Sequence, residues 1–119
     1  MSATLRFLNG TRDTVVAERV REAKTFFSRL QGLLGTSSLP QGEGLLIRPC
    51  NSIHMFGMKY AIDCVFLDDS YQVVGLVENI APGKMSKVFA KAKQCLELPA
   101  GAVASSSTQM GDVLTVVSP

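Results

Sequence analysis

Residues 3–8, where apolar and polar side chains largely alternate, and residues 13–20, with Thr14, Val15, Val16 and Val20, flank Asn9-Gly10. Alternation is the signature of a strand with one buried face, and Asn-Gly readily takes the positive φ angles of a tight turn, so the pattern predicts a β-hairpin. The period then changes. Thr25 is a good helix cap, and Phe26, Phe27, Leu30, Leu33 and Leu34 follow at i, i+1, i+4, i+7 and i+8. Gly35 stands ready to end the helix. This spacing predicts a short helix with a single apolar stripe. Residues 36–44 are rich in Ser, Gly and Pro and read as a loop leading into Leu45, Leu46 and Ile47.

Two further β-rich runs, 62–67 and 71–77, flank Asp68-Asp69-Ser70, the composition of a hairpin connection. Pro82-Gly83 breaks the chain. Gln94, Leu96 and Leu98 then alternate with Lys93, Cys95 and Glu97, which predicts a half-exposed strand ended by Pro99. Residues 100–108 suit a helical turn, Gly111-Asp112 a turn, and 113–117 a last strand. No repeat or long linker interrupts the series. Short strands at close spacing predict a mainly β (α+β) fold, a compact β-sandwich or open barrel with one or two short helices. The whole of 1–119 reads as a single domain, with the hairpin 3–20 part of the same fold.

Composition narrows the function more than the fold. A chain of 119 residues buries roughly two thirds of its unfolded surface, enough for a core of its own. The formal charge is +2, Trp is absent and aromatics reach 7%, which excludes a nucleic-acid or membrane-surface role on charge and removes stacking platforms for bases or sugars. Lys84, Lys87, Lys91 and Lys93 cluster with Phe89 as the one aromatic among them, and read as a solvated face. Every apolar run is far shorter than the ~20 residues that span a bilayer, and residues 1–10 lack the pattern of a signal peptide. Three cysteines without framework spacing fit free thiols in a reducing compartment, so the cytoplasm is the expected location.

A succession of motifs carries a resemblance. Gly32-Leu33-Leu34-Gly35 is followed by Gly42-Glu43-Gly44-Leu45-Leu46 and by Ile53-His54-Met55-Phe56-Gly57-Met58-Lys59. Ile62-Asp63-Cys64-Val65-Phe66-Leu67-Asp68, Leu96-Glu97-Leu98-Pro99-Ala100-Gly101 and Gly111-Asp112 continue it. From about residue 29 to the end, the chain resembles the family known as domain of unknown function 192. The resemblance implies a compact, mainly β fold found in bacteria and archaea, and brings no activity, substrate or cofactor.

Candidate chemistry concentrates in residues 50–63, which hold the single His, two of the three Cys, a Lys and an Asp. Cys50 and His54 are two metal-ligand types at a spacing of four, but a structural zinc needs four ligands, and the expectation is no metal and no cofactor. As a nucleophile pair, His54 would have to hold Cys50 as thiolate, with an N–H such as that of Gly57 serving a developing oxyanion. Asp63 lies in a strand apolar on both sides and must be paired. The expectation is that it accepts backbone N–H groups of loop 50–57. The reading favoured is a binding or interaction module, not an enzyme, that presents loop 49–59 beside Asp63 to a small molecule or protein partner. Its candidate ligand-binding residues are Cys50, His54, Met58, Lys59 and Asp63. The alternatives are a small hydrolase or transferase using Cys50, His54 and Asp63, and a purely structural accessory domain.

Overall fold

The computed structural model describes residues 4–25 and 32–118. The helix predicted from Thr25 through Leu34 falls largely on residues 26–31, outside the described residues. Among the described residues, β1 (Leu5–Asn9) and β2 (Thr14–Ala23) form the predicted antiparallel hairpin. Its turn is longer than the two residues expected. The Asn9 side chain accepts the N–H groups of Thr11 and Arg12, both at 3.0 Å, and the positive φ falls on Asp13. Asn9 thus shapes the turn with its side-chain oxygen, which stands in for a backbone carbonyl.

Strand β3 (Glu43–Ile47) runs parallel to β2, which requires the long connection between them. β4 (Ile62–Leu67) and β5 (Val73–Ile80) form the second predicted hairpin, closed by Asp68 Oδ1 accepting the N–H groups of Ser70 and Gln72. β6 (Gln94–Pro99) inserts between β3 and β4, antiparallel to both. A single helical turn, α1 (Ala102–Ser105), precedes β7 (Leu114–Val117), which pairs with β1. The sheet order is β5-β4-β6-β3-β2-β1-β7. Its two edges touch at one end, where Gln72 faces Val113, Val73 N–H donates to Asp112 O and Leu114 N–H to Tyr71 O. The result is a curled sheet forming a half-barrel, the open-barrel form of the expected fold.

This curl gives the sheet two buried faces. Phe7, Val20, Leu46, Val65, Leu67, Leu96 and Leu98 fill the enclosed face, with Ala102 and Val103 of α1 packed among them. The opposite face, carrying Leu45, Ile47, Cys64, Phe66 and Cys95, is covered by Leu33, Ile53, Met55 and Ala92 from the connecting segments. β4 and β6 are therefore buried along their whole length, which corrects the half-exposed reading of residues 93–98. Central strands covered on both faces read as continuous apolar runs with a few polar exceptions. Here the exceptions are Asp63, Gln94 and Glu97.

Two connections make the cover. Loops 48–61 and 81–93 are joined by a short ladder: Ser86 N–H donates to Ile53 O, Phe89 N–H to Asn51 O, Met55 N–H to Lys84 O and Gly83 N–H to Met55 O. Phe89 then anchors the pair to the sheet, stacking on Phe66 at 4.5 Å between ring centroids. It lies over Gly75, where even a Cβ would fall inside the space of its ring. Glycine is required at that position because the aromatic occupies the place of its side chain.

Candidate functional site

Strand alternation sends neighbouring residues of β4 and β6 to opposite faces. Asp63 points to the enclosed face, fully buried, where its carboxylate accepts three backbone N–H groups: Asn79 at 2.8 Å, Gly101 at 3.1 Å and Val103 at 3.0 Å. Asn79 has φ 53° and lies where the β4–β5 register shifts, and Gly101 precedes α1 with φ 96°. The carboxylate thus fills the gap of an irregular pairing and caps a helical turn that has no cap of its own. Its donors come from β5 and α1, not from loop 50–57 as expected.

The opposite face carries the cavity. Its volume is about 400 Å³, and its lining includes Leu33, Ile47, Cys50, His54, Met58 and Glu97. Of the residues singled out from the sequence, Cys50, His54 and Met58 line it, whereas Lys59 is exposed outside it and Asp63 faces the other side of the sheet. Cys50, His54 and Asp63 therefore do not converge. The His54 ring is exposed and stacks on Phe56 at 5.2 Å, held there by the antiparallel pairing of His54 with Met85. Cys50 Sγ donates to Ser52 O at 3.1 Å. A hydrogen bond with Cys95, reinforced by burial, pushes the Cys50 thiol well above its ordinary value. Such a thiol is not a thiolate nucleophile at neutral pH.

Glu97 is the residue that sequence reasoning passed over. It is 7% exposed, sits opposite Cys64 on β4 and Leu45 on β3, and faces the cavity, where no charged or hydrogen-bonding group among the described residues offsets its burial. Burial pushes its carboxyl up to about 7. Close approach of β3 to β6 is secured by Gly44, where a Cβ would come within 3.0 Å of the Glu97 carbonyl oxygen. Two fully buried thiols, which do not themselves line the cavity, lie next to Glu97. The sulfurs of Cys64 and Cys95 and a Glu97 oxygen lie within 4.8 Å of one another, all three residues buried. Burial raises both thiols above their ordinary value. Glu97 thus links the cavity to a buried cluster of soft donors, assembled by cross-strand pairing between residues distant in sequence.

No helix among the described residues is long and apolar enough to cross a membrane. The profile of the family described as uncharacterised ACR, DUF192, matches residues 8–116. A UPF0127 protein of Thermococcus sibiricus is 34% identical over 109 residues, covering 88% of this chain and 70% of that protein. Among solved structures, a protein of unknown function from Novosphingobium aromaticivorans superposes with a TM-score of 0.80 at 19% identity, covering 94% of this chain and 83% of that one. A Sinorhizobium meliloti protein described as a candidate transcription regulator gives 0.79 at 20% identity, with 96% and 92% covered. At these identities the structural likeness speaks for the fold.

Proposed function

The chain belongs to the DUF192 family of uncharacterised proteins, and from that premise we propose that it is a ligand-binding domain whose site is the cavity above Glu97. One observation carries the reading: a nine-tenths buried carboxylate, without a donor among the described residues, lines a cavity of about 400 Å³. Burying an ionisable group without a partner costs free energy, and a bound group that donates a hydrogen bond or brings positive charge recovers it. The walls, with Leu33, Ile47 and Met58, suit an apolar body. The ligand class is a small molecule or ion with a cationic or hydrogen-bond-donating end. A hydrolase built on Cys50, His54 and Asp63 draws no support from this arrangement, because Asp63 is committed to α1 and β5.

Thermal unfolding of reduced protein against a panel of amines, alcohols and metal ions tests the reading, with Glu97→Gln run alongside. A ligand at one hundred times its Kd adds about 2.7 kcal/mol of stability. For a domain of this size that raises Tm by about 10 °C. Glu97→Gln should fold, since it relieves a buried charge, and should lose most of that shift. A panel with no stabilising member, or one whose effect survives Glu97→Gln, refutes the proposal.

A further inference from the structure

We propose that the buried cluster next to this cavity, reached through Glu97, is a binding site for a thiophilic metal ion, with Cys50, Cys64, Cys95 and Glu97 as its ligands; this rests on the reading of the cavity as the binding site and names its ligand class. Three of the four donors already lie within 4.8 Å of one another, and Cys50 lines the same cavity as Glu97. A tetrahedral ion with metal–sulfur bonds of about 2.3 Å needs its sulfurs about 3.8 Å apart, so the three clustered donors have to close in by at most roughly an ångström.

Buried thiols alone are commonly small apolar fillers of a core. That reading accounts for Cys64 and Cys95 but leaves the Glu97 carboxylate beside them without a partner among the described residues, whereas a cation at the centre of the cluster accounts for all four. Thiol-rich sites select zinc, cadmium or cuprous ions over magnesium or calcium. On binding, each coordinating thiol exchanges its S–H bond for a bond to the metal and releases its proton to water. The topology supplies what spacing could not. Cys50 and His54 are close in sequence, yet His54 is turned outward onto Phe56, and the remaining ligands come from the central strands β4 and β6.

The test is titration of reduced, chelator-treated protein with zinc against a chromophoric chelator, and with cadmium, whose thiolate charge-transfer absorbance counts the coordinating sulfurs. The expected result is one ion per chain, bound tighter than about 1 μM, with proton release. The cadmium band should have the intensity of three thiolates. Cys50→Ser should remove a third of that intensity. Glu97→Gln should keep the full intensity and weaken binding about tenfold or more, as loss of supporting groups commonly does. Lys59→Ala, outside the cavity, should change neither. Because Cys64 and Cys95 are core residues whose variants risk misfolding, the decision rests on Cys50→Ser and Glu97→Gln, whose folding is checked by circular dichroism. Binding weaker than about 1 μM, an undiminished band in Cys50→Ser or lost binding in Lys59→Ala overturns the metal site. If metals fail while an organic ligand gives a Glu97-dependent rise in Tm, the metal assignment falls and the ligand-binding reading stands. If both fail, both fall.

Discussion

Replacing Asp63 with Ala removes one acceptor group and orphans three donors. The Val103 N–H is buried, so leaving it unpaired costs about 1–3 kcal/mol. Asn79 and Gly101 are exposed residues whose N–H groups water can reach, so losing each bond costs about 1 kcal/mol. Relief of the carboxylate's own burial offsets part of this and leaves a net loss of about 2–4 kcal/mol. That is a large share of the ~5–15 kcal/mol typical of a folded domain. At about 4 °C per kcal/mol, Tm should fall by about 8–16 °C. Asp63→Asn retains one acceptor oxygen and should lose about half as much. Amide exchange localises the effect, with faster exchange expected at Val103 and Asn79. Thermal unfolding of Asp63→Ala within 2 °C of wild type would refute the organising role and return Asp63 to the functional candidates.

Other regions give independent expectations. The Arg12 guanidinium, with the Asn9 amide and the Gln109 N–H, holds the Asp112 carboxyl down to about 2 against its own burial. Its folded value lies below the unfolded 3.8, so its contribution to stability is full above about pH 4 and is lost as pH falls toward 2. Urea unfolding between pH 5 and 2 should show this loss, and Arg12→Ala should flatten it. Cys64 and Cys95 are fully buried, so a thiol reagent should react with them slowly in native protein, yet find three thiols after denaturation under non-reducing conditions. A count of one would mean a disulfide. His54→Ala and Lys59→Ala remove exposed side chains and should each change stability by less than about 0.5 kcal/mol in chemical denaturation.

Period and turn chemistry made the hairpins legible, because Asn9-Gly10 and Asp68-Asp69-Ser70 carry local instructions that tertiary contacts did not override. The parallel β2–β3 pair and the place of β6 between β3 and β4 are long-range facts with no local mark. That blind spot cost the reading Glu97. In residues 93–98 the alternation is genuine, but it distinguishes one buried face from another, not inside from outside. The rule that singled out Asp63, a carboxylate within an apolar run, applies equally to Glu97 between Leu96 and Leu98. Asp63 itself was legible as a buried carboxylate, and its partners were not, since Asn79 and Gly101 are 16 and 38 residues away. Cys50, His54 and Met58 reach the cavity because they share one loop; Asp63, one strand later, is turned away by the pleat.

Phe89 resting on Gly75 makes two distant positions share one volume, with a consequence for how the sequence is free to vary. A side chain at position 75 and an aromatic at 89 are mutually exclusive, whereas losing both at once substitutes one filler for another. In a double-mutant cycle, Gly75→Val and Phe89→Ala should each destabilise, while the combination costs less than their sum. Across relatives the same arithmetic becomes a covariation: where position 75 carries a branched side chain, position 89 should be small, and drift at either site should wait on the other.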